Sequence, residues 1–284
     1  MGTSRHDGRP IALVTGASRG IGKATAIDLA RAGYDVAVSA RTMVDGEGRL
    51  DDDQGTAVPG GLDTTVALVE QQGVRGLAVR MDLLDRASVL GAVGAVVDGL
   101  GPVDLLVNNA IFQGDGVSAR FADLDDTQMR NIFEGNVQAQ LALIRAVLPG
   151  MLERGGGTIV NMISATAYTD PQAKVGEGGW GLGYAMSKAA FARVSPILHV
   201  EHGDDGLRVF SVDPGFVVTE RMEASGHVAQ YEGRYAGTSP DVIARAIRWL
   251  ATDPASDELR GQVVLAQREV KRRGLLPGWP PPAP

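Results

Sequence analysis

The sequence predicts an α/β protein built on one doubly wound parallel sheet, and three observations carry that prediction. Short apolar runs alternate with amphipathic stretches along nearly the whole chain, the order that builds parallel strands joined by right-handed crossovers. The first apolar run passes directly into a glycine-rich turn. Two later runs end in small polar residues, where an open parallel sheet presents its ligand crevice. Seven strands and a single domain over residues 1–284 are expected, and a chain 44% hydrophobic can bury one large core.

The first strand spans 11–15, and Gly16-Ala17-Ser18-Arg19-Gly20-Ile21-Gly22 leads from it into an amphipathic helix near 20–32. Strand, glycine turn and helix in that order are a dinucleotide signal, because glycines allow close backbone approach and the helix N-terminus then faces a pyrophosphate. The spacing Gly16-x-x-x-Gly20-x-Gly22 departs from the usual G-x-G-x-x-G, so the loop is weak by itself. A second strand near 35–40 precedes an insertion, 42–62, with five acidic residues against one Arg, which reads as a solvated surface loop. Helices near 63–72 and 86–99 flank a strand near 76–81 that runs into Asp82 and Leu83. Apolar runs near 103–109 and 158–164 predict strands ending at Asn108-Asn109-Ala110 and at Ser164, with a helix near 126–153 between them. A helix near 183–202, a strand near 207–212, a helix near 240–251, a strand near 262–266 and a Pro-rich tail, 277–284, complete the chain.

Tyr184 and Lys188 lie four residues apart on the expected helix, which puts both side chains on one face. A phenol has a pKa of about 10 in water, and a nearby ammonium favours the phenolate and brings that value toward neutral pH. The pair therefore reads as an acid–base device.

Taken together, these motifs resemble the short-chain dehydrogenase/reductase family over nearly the whole chain. Thr15-Gly16-x-x-x-Gly20-x-Gly22 resembles its cofactor loop, and Asn108-Asn109-Ala110 its fourth-strand motif. Asn136, Ser164, Tyr184 and Lys188 match the catalytic positions, and Asp213-Pro214-Gly215-Phe216-Val217-Val218-Thr219 the segment flanking the nicotinamide. Ile111 replaces the glycine that usually follows Asn-Asn-Ala, adding bulk beside the cleft, and the twenty positions from Ser164 to Tyr184 are more than the family commonly uses. The resemblance implies a Rossmann fold and hydride transfer between a nicotinamide and a carbonyl or carbinol carbon. Tyr184 would act as general acid or base, and Lys188 would tune it and hold the ribose. Ser164 would orient the substrate oxygen, and Asn136 would fix a water. The cofactor set it implies is Gly16, Ser18, Arg19, Gly20, Ile21, Gly22, Arg41, Asp82, Leu83, Asn109, Ala110, Tyr184, Lys188, Pro214, Gly215, Val217 and Thr219, with Asp82 at the adenine. A homodimer or homotetramer is the implied assembly. Epimerase or lyase chemistry on the same fold, and a catalytically idle binding protein, stay open as alternatives.

Charge predicts the cofactor. An NAD site usually places an acid at the end of the second strand, whereas here Val36-Ala37-Val38-Ser39-Ala40 runs into Arg41 and Asp35 sits at the strand's other end. Arg41, with Arg19 closing on the same group, suits a 2′-phosphate, so NADP(H) is preferred and NAD(H) is possible. The loops 165–183 and 220–239, bearing Trp180, Met222, Tyr231 and Tyr235, are expected to wall the substrate pocket, favouring a medium or large apolar ketone or alcohol.

Other function classes are disfavoured. A net charge of −7 argues against a general nucleic-acid surface. No apolar run reaches the roughly 18 residues of a membrane span. The chain has no Cys, which excludes thiolate metal sites and fits a reducing cytoplasm. His199 and His202, at i,i+3 with no third ligand apparent, read as structural or exposed rather than as a metal pair.

Overall fold

The computed structural model describes residues 8–50, 54–226, 228 and 237–280. Seven parallel strands form one sheet in the order β3-β2-β1-β4-β5-β6-β7. They are β1 Ile11–Thr15, β2 Asp35–Ala40, β3 Gly76–Arg80, β4 Leu105–Asn108, β5 Gly157–Met162, β6 Leu207–Asp213 and β7 Val263–Leu265. The helices are α1 Gly20–Arg31, α2 Leu62–Glu70, α3 Arg86–Gly99, α4 Asp126–Phe133 and α5 Ala139–Glu153, then α6 Leu182–Ala192, α7 Val194–His202, α8 Glu220–Ala224, α9 Pro240–Thr252 and α10 Ala266–Arg273. The chain fills one half of the sheet outward from β1 and the other outward from β4, so a crevice opens past the carboxyl ends of these two neighbours.

Alternation along the strands gives the sheet two buried faces. Val14, Val38, Leu105 and Phe210 face the layer that contains α1, α2 and α9. Leu13, Leu106, Ile159 and Val209 face the layer of α3 and α5, joined by Phe191 of α6. Asp35, at the amino end of β2, is buried and paired with Arg75 at 2.7 Å, away from the carboxyl-end crevice.

The structure corrects several expectations. The helix expected over 126–153 is split: α4 starts at a capping box of Asp125 and Gln128, a π turn covers Glu134–Gln138, and α5 follows. The helix expected over 183–202 breaks at Arg193, with Pro196 in the first turn of α7, where its ring has no N–H to bond back toward α6. Helices α8 and α10 were not expected. In α10 the charge of Gln-Arg-Glu-Val-Lys-Arg-Arg hides a single buried face, on which Val270 packs while Glu269 pairs with Arg272 and Arg273.

The largest correction concerns the insertion, whose described residues are folded rather than merely solvated. An antiparallel bridge joins Arg49 to Ala57, Leu50 N–H donates to Thr56 at 2.8 Å, and Val58 N–H donates to Gly48 at 2.9 Å. Leu50 and Val58 are buried, and Asp45 accepts from Gly60 N–H at 2.7 Å. Asp51, Asp52 and Asp53 lie outside the described residues.

Candidate active site

The glycine loop is held by side chains from β1 and from the turn after β4. Thr15 Oγ1 donates to the Val107 carbonyl at 3.2 Å and accepts from the backbone N–H groups of Asn109 and Ala110, each at 3.0 Å. Asn109 Nδ2 donates to the carbonyls of Thr15 at 2.8 Å and Gly16 at 3.2 Å. These bonds bring the loop so close to Ala110 that a Cβ on Gly16, whose φ is +67°, would sit 2.8 Å from the Ala110 Cα. At Gly22 a Cβ would lie 2.4 Å from the Gly16 carbonyl oxygen, so this glycine lets α1 start against the loop.

Over this loop lies a cleft of about 260 Å³. Its walls take in Gly16, Ser18, Arg19, Gly20, Ile21, Arg41, Asp82, Leu83, Asn109, Ala110 and Thr219 from the expected cofactor set, along with Ile111 and Phe112. Gly22, Tyr184, Lys188, Pro214, Gly215 and Val217 lie outside its walls, as do Trp180 and Met222. Tyr231 and Tyr235 fall outside the described residues. Ile111 adds its side chain to the wall, while the adjoining Ala110 keeps its N–H bond to Thr15 and its carbonyl accepts from Gln140 at 2.8 Å. Arg49, which sequence reasoning gave no role, also reaches the cleft, beside Arg41 and Thr42. Its signal was missed because a loop taken as solvated has no reason to aim a side chain.

Arg19 spans the cleft's edge. Its guanidinium donates to the carbonyls of Pro59 and Gly60, each at 2.8 Å, clamping the insertion to the glycine loop. Desolvation lowers its pKa, against an opposing pull from Glu220. On the other side Gly20 N–H donates to Glu220 Oε2 at 2.9 Å, and Arg221 donates to the Gln113 carbonyl at 2.9 Å, so the start of α8 docks on the loop. Asp82 uses one carboxylate oxygen to accept from Leu84 N–H at 3.0 Å, closing the turn after β3.

The second constellation lies around the amino half of α6. Lys188 is 3% exposed, and its ammonium donates to the Met162 carbonyl at 2.7 Å and stands 5.9 Å from the centre of the Tyr184 ring. Burial lowers the Lys188 pKa to about 7, with Asp213 acting in the opposite direction. Asn136 is buried in the π turn, an extra residue of the kind often found at functional sites. Its Oδ1 accepts from Phe112 N–H at 2.8 Å and its Nδ2 donates to Ser187 Oγ at 3.1 Å, tying the segment after β4 to α6. Ser187 in turn donates to the Tyr184 carbonyl at 2.8 Å. Ser164 is half-buried and caps the short turn 165–167, accepting from Thr166 N–H at 3.3 Å. Between Ser164 and Tyr184 the chain makes a bridge of Val175 to Gly179, and Gly181 packs against the Val117 carbonyl.

A sequence model described as short chain dehydrogenase matches residues 10–229. The chain belongs to this family. Curated relatives of this short-chain dehydrogenase include the 3-oxoacyl-(acyl-carrier-protein) reductase FabG of Escherichia coli, 31% identical over 87% of this chain and 91% of that one. An NAD-dependent oxidoreductase of Mycobacterium tuberculosis is 31% identical over 86% of this chain and 89% of that one. Among solved structures, a short-chain dehydrogenase from Mycobacterium paratuberculosis bound to NAD superposes with a TM-score of 0.72 at 25% identity, covering 90% of this chain and 95% of that one. The present chain is thus a Rossmann-fold oxidoreductase that uses a nicotinamide dinucleotide. Among the described residues, no helix is long and apolar enough to cross a membrane.

Proposed function

We propose that this short-chain dehydrogenase interconverts a ketone or aldehyde and an alcohol with NADP(H), on a medium or large apolar substrate. The observation that carries the reading is a buried ammonium, Lys188, on the same helix face as Tyr184, with α6 tied through Asn136 to Phe112 of the glycine-lined cleft. The crowding at Gly16 and Gly22 fits a cofactor whose pyrophosphate needs bare backbone at the start of α1. When bound, the dinucleotide supplies or accepts the hydride. The chain's own part is to hold and move one proton. Tyr184 gives it to the carbonyl oxygen in reduction and takes it back in oxidation. Lys188 favours the phenolate, Ser164 orients the substrate oxygen, and Asn136 holds the segment after β4 against α6.

The preference for NADP(H) rests on a second strand that ends at Ala40-Arg41 with no acid, and on Arg19, Arg41 and Arg49 at one end of the cleft. An NAD reading is favoured instead by the NAD-bound structural neighbour and the NAD-dependent mycobacterial relative. The apolar substrate rests on the length of the loop 165–183 and on the bulk of Trp180 and Met222, which stand outside the cleft walls. A homodimer or homotetramer in the cytoplasm completes the reading, in keeping with a cysteine-free chain.

Following the nicotinamide absorbance with a panel of ketones of growing apolar size, first with NADPH and then with NADH, tests the reaction, the cofactor preference and the substrate class. Faster turnover with NADPH and a rise in kcat/KM with apolar size are expected. A steady fall with size, or a preference for sugar-like substrates, overturns the substrate class. No turnover with any carbonyl favours epimerase, lyase or binding roles.

A further inference from the structure

Among the described residues, four acidic side chains with no part in the chemistry above are buried, and Asp28, Asp35 and Glu269 are paired with arginines; the fourth is Asp213, the last residue of β6. It is 5% exposed. One carboxylate oxygen accepts from Gly215 N–H at 2.9 Å, and the other accepts the hydroxyl proton of Tyr168. Tyr168 stands four residues after Ser164 and is half exposed. Desolvation and the bond to Asp213 raise the pKa of its phenol, so Tyr168 keeps its proton and acts as a donor.

Strand parity says which way Asp213 faces. Ser211, two residues earlier on β6, points toward α6 and α7, because its Oγ donates to Ser195 Oγ of α7 at 2.7 Å. Alternation then turns Asp213 to the same side. Its neighbour Val212 pairs with Met162, whose carbonyl holds the Lys188 ammonium. A buried carboxylate and a buried ammonium therefore share one face at the ends of β5 and β6. Burial alone disfavours the charged lysine, and Asp213 is the charge that opposes this.

We propose that Asp213, held in place by the Tyr168 hydroxyl, is the buried counter-charge of Lys188 and acts through it on Tyr184 as a positioning residue. The inference rests on reading Tyr184 and Lys188 as the acid–base pair. The titratable groups around Lys188 are Tyr184 on its own helix, Asp213 on β6 and Tyr168 after β5. Of the other elements packed against α6, α4 meets Gly183 with Ile132 and Met129 and the π turn meets Ser187 with Asn136, while the charges on those elements, Asp126, Arg130 and Glu134, do not act on Lys188. Asp213 is accordingly the anion that can hold the lysine charged beside the phenol.

The experiment is a pH titration of the full-length protein carrying ¹³C-labelled lysine, followed by NMR. The chain has four lysines, and a Lys188→Met spectrum identifies the buried one. In Asp213→Asn the Lys188 midpoint should fall by about one pH unit, a tenfold loss of proton affinity. Tyr168→Phe leaves the carboxylate with one donor and should lower the midpoint in the same direction by less. If Asp213→Asn does not fold, Tyr168→Phe carries the test alone, since it keeps the ring of a half-exposed side chain. In alcohol oxidation the acid limb of the kcat profile should move to higher pH in the same variants, with KM for the dinucleotide unchanged. A Lys188 midpoint that stays at the wild-type value overturns the proposal. This readout needs no turnover, so the pairing of Asp213 with Lys188 is decided even if the functional reading fails, whereas an active Tyr184→Phe enzyme would sink that reading, and with it the action on Tyr184, but not the pairing.

Discussion

Glu220 accepts the backbone N–H of Gly20 at 2.9 Å, which places a carboxylate where the glycine loop turns into α1. That helix start is positive and carries unpaired N–H groups, the features that recruit a dinucleotide pyrophosphate. A pyrophosphate bound as proposed would compete with the carboxylate for one place. Glu220→Gln keeps the shape and removes the charge, so it should tighten dinucleotide binding by about threefold to tenfold, or 0.7–1.4 kcal/mol. Titration of the cofactor into both proteins checks it; weaker binding by the variant would show that Glu220 holds the loop rather than contests it.

Tyr184→Phe should abolish turnover while the dinucleotide still binds, because the ring and its packing stay and only the titrating hydroxyl goes. Turnover retained within about tenfold, or 1.4 kcal/mol of barrier, would remove Tyr184 from the chemistry.

Arg41→Asp should shift preference from NADPH toward NADH, by replacing an attractive charge at the cleft rim with one that repels a 2′-phosphate. The ratio of kcat/KM for the two cofactors decides it. An unchanged ratio would leave Arg19, Arg49 or no residue as the reader of the phosphate.

Lys188→Met should be inactive yet more heat-stable than the wild type. Folding lowers the Lys188 pKa from 10.5 to about 7, so between those values the unfolded chain binds the extra proton. Wild-type stability therefore rises with pH across that window, and below about 7 the folded state bears the full penalty of a buried charge. The stability gain of the methionine variant should be largest near pH 6.5 and shrink toward pH 10, as thermal melts at a series of pH values would report. A gain that does not vary with pH would mean that packing, not charge, sets the difference.

Much of this molecule was legible from its residues. The central strands are apolar runs such as Ile11–Thr15 and Gly157–Met162, and burial on both faces gives them that character, while the edge strands β3 and β7 are less buried. The glycine loop announced its place because crowding demands glycine at 16 and 22, and at 16 a left-handed backbone demands it as well. The π turn at Glu134–Gln138 was not legible, since its residues continue a helical pattern and the extra residue arises from the contacts of Asn136 with Phe112 and Ser187. Charge counting misjudged the insertion because it ignores that two apolar residues, Leu50 and Val58, suffice to seat a short hairpin. Asp213 read as part of a motif, and only strand parity and the Tyr168 bond give it a direction.

Arg19 belongs to the glycine loop, yet its guanidinium grips the backbone of the insertion at Pro59 and Gly60. The extra segment is therefore not a detachable ornament. Cutting out residues 43–60 to make a leaner enzyme would strip a half-buried cation of its acceptors at the lip of the cleft. Grafting the hairpin onto another member of the family would fail unless an arginine came with it at the matching place in the loop. Anyone redesigning this protein must treat the two as one part.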